Sequence, residues 1–425
     1  MSPVHYNRLV TSRPAERIYL DHAATTPLDP RVLEAMMPYL TTAWGNPSSL
    51  YAEAQDARRG LDSARATIAG ILGCRPNDLI VTAGGSESNN LALRGAAWAA
   101  RRAGRGDHII TSTIEHHAVL HTTERLEQAG FRVTYLGVDG EGFIDVGELQ
   151  DAVGDDTILV SIMYLNNEVG TVEPLAEAVR AVKEKNPKTI FHTDAVQAAG
   201  LLDLNVESLG VDLLSLAAHK FYGPKGVGAL YVRPRTPLLP QQLGGAQEKN
   251  RRAGTENVAG FAGMATALQL AYDEFDSRTA HYRELRDRLL FGVPERVSDV
   301  RVTGPQPSSA HPEALSAAHP ETLEGRAANS ASFCFEYIEG EPILIALDLA
   351  GVACSSGSAC TTGSLEPSHV LTAMGIPEDL SRGSMRLTVG ASNTSDQIEY
   401  FLETLPGIVS RLRSLSPTWP ERARP

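Results

Sequence analysis

Leu79-Ile-Val-Thr-Ala-Gly84-Gly85-Ser86-Glu-Ser88 is a short apolar run, a turn of small residues, and the start of an alanine-rich segment that continues through Ala99. It reads as a strand, a tight turn and a helix. Small residues let the backbone turn closely, and the N–H groups at a helix start attract an anion such as phosphate. A plain tight turn has the same composition. Upstream, Leu61, Ala64, Ile68, Ile71 and Leu72 fall on one helical stripe that Gly73 stops. Downstream the unit recurs: His108–Ser112, Val133–Leu136, Ile158–Tyr164, Thr189–Thr193, Leu213–Ala217 and Val227–Val232 read as strands. Several are apolar on both faces. Such strands separated by helices form a mostly parallel sheet covered on both sides, so the fold class is α/β. Ligands of these sheets sit at the carboxyl ends of the strands.

After about Val258 the texture changes. A long helical stretch to about Leu290 leads into Pro/Ala/Ser-rich sequence, Gly304 to Asn329, which reads as an exposed loop or insertion. A smaller α+β region follows, with a strand at Ala331–Ile338, a helix from Glu341 and a strand at Met385–Val389. We expect a large domain over 18–260, a smaller one from 1–17 and 261–413, and a disordered tail over 414–425.

Composition excludes several classes. At 42% hydrophobic and 21% charged over 425 residues, the chain is neither disordered nor fibrous. Thirty-eight basic against 51 acidic residues give a net charge of −13, which argues against a nucleic-acid partner held by the overall field. Four scattered cysteines, none in a Cys-x-x-Cys pair, make no disulfide framework. His117 and His121 share a helix face but lack an evident third ligand, so no metal site is expected. With no signal peptide and no membrane-length apolar run, the chain reads as a cytoplasmic protein.

Five stretches carry chemistry. In Ser215-Leu-Ala-Ala-His219-Lys220-Phe-Tyr-Gly223, Lys220 follows an apolar strand and precedes a glycine-rich turn. A desolvated lysine there can form a Schiff base with a carbonyl, although a lone lysine is more often a solvated surface group. Phe191-His-Thr-Asp194-Ala-Val-Gln197 puts a carboxylate at another strand end, able to hold a pyridinium nitrogen protonated or simply to cap a helix. Gly85 and Ser86 form the candidate phosphate turn. Glu115-His116-His117 brings an imidazole to the same edge. In Cys354-Ser-Ser-Gly-Ser-Ala-Cys360-Thr-Thr-Gly363, only small residues separate the cysteines, so Cys360 is expected to be exposed and able to move. Cys74, Cys334 and Cys354 read as inert.

Together these stretches resemble the group I cysteine desulfurases of the nitrogen-fixation and iron–sulfur-cluster-assembly type, within the class V aminotransferases. The resemblance runs from Tyr19-Leu-Asp-His-Ala-Ala-Thr-Thr-Pro27 through Gly45-Asn-Pro-Ser-Ser49 to about Leu412, and Ser355-Ser-Gly-Ser-Ala-Cys360-Thr361 is its most specific part. It implies a fold type I pyridoxal 5'-phosphate transferase with a mainly parallel seven-stranded sheet. It implies Lys220 as the cofactor-binding lysine and proton shuttle, Asp194 beside the pyridinium nitrogen, and His116 stacked on the ring. Gln197 and Asn167 would lie near the ring oxygen and substrate, and Gly85, Ser86 and His219 at the phosphate. Thr255 would reach the phosphate of a neighbouring subunit in a homodimer, and Arg386 would grip the substrate carboxylate. Lys220 would remove the α-proton of L-cysteine and thiolate Cys360 would take its sulfur as a persulfide. Alanine would leave, and an acceptor such as an iron–sulfur scaffold would receive the sulfur, with Cys360 in transient contact with a nascent cluster. His116 could help remove the substrate thiol proton.

The chain departs from the pattern at Ala217, where many relatives have a phosphate-binding serine, and at Tyr51, Ala246 and Asn250. Alternative readings are selenocysteine cleavage or another class V reaction, and a sulfur-relay subunit without turnover.

Overall fold

A computed structural model describes residues 17–306, 325–357, 367–417 and 419. Seven strands form the main sheet: β2 (Leu79–Thr82), β3 (His108–Ser112), β4 (Arg132–Leu136), β5 (Thr157–Ser161), β6 (Ile190–Asp194), β7 (Leu213–Ala217) and β8 (Gly228–Val232); the two-residue strand Ile18–Tyr19 is β1. Their order is β2-β8-β7-β6-β5-β3-β4, with only β8 antiparallel to its neighbours. Neighbouring residues of a strand feed opposite cores. Ile80, Ile109 and Leu213 join one cluster, while Val81, Ile110 and Leu214 join the other. Both faces are therefore dry, as the strand composition requires.

Helix α1 (Pro30–Thr41) and α2 (Ala52–Leu72) pack on one face with the helix Val258–Asp273, while α3 (Gly85–Arg102) and α4 (His117–Gln128) pack together on the other. Gly73 ends α2 in the left-handed region at φ 67°, as its sequence position suggested.

A third core gathers Leu285, Leu289, Phe333, Phe335, Ile343, Met385, Leu387 and Phe401. It covers an antiparallel sheet of β9 (Val300–Val302), β10 (Ser330–Phe335) and β12 (Ser384–Thr388) in the order β12-β10-β9. Ile18 and Leu20 also belong here, because β1 pairs in parallel with β11 (Val352–Ala353).

Three expectations need correction. The stretch from Val258 to Leu290 is two helices, Val258–Asp273 and Phe275–Arg296, broken at Glu274. The ends of the Gly304–Asn329 segment are not exposed: Arg326 is 2% accessible and donates to the carbonyls of Thr303, Pro305 and Ser330. Residues 307–324 lie outside the described residues. Finally, the last helix runs from Ser395 through Leu415, into the stretch expected to be disordered, and the Trp419 ring lies 6.2 Å from Tyr337. Among the described residues no helix is long and apolar enough to cross a membrane.

Candidate active site

The carboxyl ends of β2, β3, β5, β6 and β7 converge on one edge of the main sheet, each followed by a segment with a polar side chain. Lys220 lies on a 3-10 turn directly after β7, and its Nζ donates to the carbonyls of Ala23 (2.6 Å) and Ala24 (2.9 Å). Gln197 Nε2 donates to the same Ala23 carbonyl at 3.0 Å, so the amide and the amine are neighbours. A cavity of about 250 Å³ opens here, lined among others by His116, Asn167, Gln197, Lys220 and Arg386. Five residues singled out from sequence thus line one cavity.

Asp194 ends β6 and is buried. One oxygen accepts from Asn89 Nδ2 at 2.6 Å and the other from the Val196 N–H at 2.9 Å, which fixes the plane of the carboxylate. Asn89 sits on α3, and its own Oδ1 is buried with no partner among the described residues. Sequence reasoning missed this residue.

Gly84 precedes α3 at φ 146°, a conformation open essentially to glycine, and a side chain there would meet nothing within 4 Å. The first intrahelical bond runs from the Ser88 N–H to the Gly84 carbonyl, so the N–H groups of Gly85, Ser86 and Glu87 precede the ladder. A Cβ on Gly85 would come within 2.7 Å of Val196 and 3.6 Å of Ala217, so this turn lies against the segments carrying Asp194 and Lys220. Ala217 offers no hydroxyl there. His219 is held near neutral form by burial and by Lys220 and Lys225, which push it down to about 4. Its ring bonds Thr25 Oγ1 at 3.2 Å.

Arg386, on β12, is 2% accessible and bridges two distant segments: Nη1 donates to the Asn167 carbonyl at 2.7 Å and Nη2 pairs with Asp21 at 2.8 Å. Its Nε is buried without a partner among the described residues, a donor left for an anion. Replacing Arg386 with lysine should raise KM for an amino-acid substrate by about 30- to 150-fold, the worth of a 2–3 kcal/mol charged contact, with a smaller effect on kcat. Steady-state kinetics checks it.

Thr255 is exposed and does not line the cavity. Arg252 nevertheless ties its segment to the start of α3 through both oxygens of Glu87, at 2.8 and 3.1 Å. The preceding stretch, Glu248-Lys249-Asn250, takes positive φ at all three residues, a conformation that favours glycine. Buried Glu248 anchors it, pairing with Arg65 and accepting from the Val81 N–H. Tyr51 is the N-terminal flanking residue of α2 and is exposed.

Cys360 lies outside the described residues. Both flanks of its segment reach the cavity, since Gly357 and His369 line it, and Glu168 joins them: Ser368 Oγ donates to its Oε2 at 2.5 Å. The other thiols are poor nucleophiles, because burial pushes Cys74, Cys334 and Cys354 each up to about 12. His369 also joins His117 and His121, but among the described residues no group of three or more side chains could hold a metal ion.

An amine held by carbonyls, a carboxylate oriented at the next strand end, and a helix start under a side-chain-free glycine fit the nucleophile, ring nitrogen and phosphate of pyridoxal phosphate. With this sheet order, they define a fold type I enzyme dependent on that cofactor. The chain belongs to the class V aminotransferase family, whose model (Aminotransferase class-V) matches residues 18–401. It is 48% identical over 400 residues to "Cysteine desulfurase IscS" of Dictyoglomus turgidum, covering 94% of this chain and 96% of that protein. Among solved structures, "NIFS-LIKE PROTEIN" superposes with a TM-score of 0.84 at 36% identity, covering 93% of this chain and all of the other. "SspA in complex with cysteine" superposes with a TM-score of 0.72 at 33% identity, covering 89% and 100%.

Proposed function

We infer that the protein is a cysteine desulfurase, which removes the sulfur of L-cysteine to leave L-alanine and a persulfide on Cys360. One observation carries this: the cavity that holds the Lys220 amine and the Arg386 guanidinium is also lined by both flanks of the Cys360 segment. Cys360 is three residues beyond Gly357, at most about 11 Å along an extended chain, so its thiol is tethered within reach of the cavity.

Bound pyridoxal phosphate supplies an electron sink for the substrate's α-carbon. Asp194 would accept a hydrogen bond from the ring N–H, His116 would stack on the ring, and Gln197 would donate to its oxygen. Gly85, Ser86 and His219 would hold the phosphate. Arg386 binds the substrate carboxylate through a desolvated, charge-assisted contact, with Asn167 beside it. Lys220 takes the α-proton on Nζ, and Cys360, as thiolate, takes the sulfur.

The working form is a homodimer. Leu33, Met37 and Leu40 on α1, then Trp44, Leu50 and Tyr51, are all large apolar groups left exposed, and Thr255 is exposed beside the phosphate turn. In a dimer Thr255 serves the neighbouring subunit. The sulfur passes to an acceptor protein such as an iron–sulfur scaffold, and the site of action is the cytoplasm.

The test is stoichiometry. Holoenzyme given L-cysteine and a reducing thiol should release alanine and sulfide one for one. Alanine absent, or a keto acid formed in its place, sinks the reading.

A further inference from the structure

We propose that His369, rather than His116, is the base that takes the substrate's thiol proton; this rests on the desulfurase reading. Both imidazoles line the cavity, and they differ in which nitrogen holds a lone pair. His116 flanks the N-terminus of α4, and its Nδ1 accepts from the Ala118 N–H at 3.0 Å. A ring nitrogen that accepts must carry the lone pair, so neutral His116 keeps its proton on Nε2. It can gain a second proton only on Nδ1, by breaking the helix cap.

His369 has the opposite arrangement. Its Nε2 is 2.9 Å from the Glu115 backbone carbonyl, which can only accept, so Nε2 bears the proton and Nδ1 holds the lone pair. Among the described residues no donor is bonded to that Nδ1. The residue is also well placed. It opens the helix His369–Ala373, and the preceding Ser368 is buried, donating to Glu168 Oε2 and accepting from the Leu371 N–H.

Among the described residues, the titratable and charged groups around His369 are the His117 ring at 4.7 Å, Glu168 behind Ser368, and His116, Lys220 and Arg386 in the lining of the same cavity. Burial and the imidazoles of His369, His121 and His116 push His117 down to about 4. It is therefore neutral at physiological pH and does not oppose a positive charge on His369. Desolvation forces the fully buried Glu115 carboxyl well above the usual carboxylate range.

The step balances without an external oxidant. The substrate S–H bond breaks, its proton goes to Nδ1 of His369, and the electron pair stays on sulfur. The S–S bond to thiolate Cys360 forms as the C–S bond breaks. The β-carbon keeps that bond's pair and takes the proton back, giving a methyl group and a persulfide anion.

His369→Gln keeps an amide donor for the Glu115 carbonyl and removes the base. In the holoenzyme it should slow cysteine turnover at neutral pH by on the order of 10²- to 10³-fold. The residual rate should climb about tenfold per pH unit toward the thiol's own ionisation near 8.5, because only thiolate then reacts. Selenocysteine, whose selenol is already ionised, should lose less than about threefold. A cysteine rate within about threefold of the parent overturns the proposal. So does an equal loss on both substrates with the parental pH profile, which marks a structural role. A parent enzyme that makes no alanine from cysteine overturns the desulfurase reading itself, a distinguishable failure.

Discussion

Lys220→Ala lowers cysteine turnover by on the order of 10⁴-fold or more, because one substitution removes both the covalent anchor and the proton carrier. The Lys220 amine donates to the backbone carbonyls of Ala23 and Ala24 on the wall of an open cavity, where water can replace it. Folding should therefore survive. The variant should still bind pyridoxal phosphate through Asp194 and the start of α3, with an altered absorbance spectrum. A small primary amine added to the solution should restore part of the rate, by supplying the missing base. Lys220→Arg should not recover activity, since a guanidinium stays protonated. Retention of more than about a hundredth of the parental rate in Lys220→Ala would remove this lysine from the chemistry.

Cys360→Ala produces the second large effect, confined to sulfur. The cofactor spectrum and the thermal midpoint should match the parent, while sulfide release from cysteine falls below detection. Cys354, six residues earlier, cannot substitute, because burial holds its thiol up at about 12. Parental turnover in this variant would contradict the persulfide step.

The two predictions rest on features that were legible in sequence to different degrees. Lys220 and Asp194 stood out because each follows an apolar strand at the edge where an α/β sheet binds ligands. The strands themselves were plain because residues such as Ile80 and Val81 serve opposite dry faces. The limits were physical too. β5 ends at Ser161 rather than Tyr164, yet Ile162 and Tyr164 still donate to the His192 and Asp194 carbonyls, so the apolar run outlasts the regular ladder. The break at Glu274 carries no glycine or proline to announce it.

The partners of the site residues were not legible. Arg386 pairs with Asp21 across 365 residues, and Asp194 is oriented by Asn89 across 105. No spacing rule links such positions; only the folded chain brings them together. His369 belongs to the same group. In sequence it is a lone histidine after a proline and a serine, and its tautomer is set by a carbonyl 254 residues away. The proposed homodimer and sulfur acceptor lie a step further off, in surfaces that another chain would cover.

Sulfur transfer to residue 360 is tested most directly by mass spectrometry. Holoenzyme is mixed with one equivalent of L-cysteine, its thiols and persulfides are trapped by alkylation, and the four cysteine peptides are compared. The account requires one added sulfur atom on the Cys360 peptide, matched by one alanine released, with Cys74, Cys334 and Cys354 unchanged. Alanine formed without sulfur on Cys360, or sulfur found on one of the other three, would contradict it.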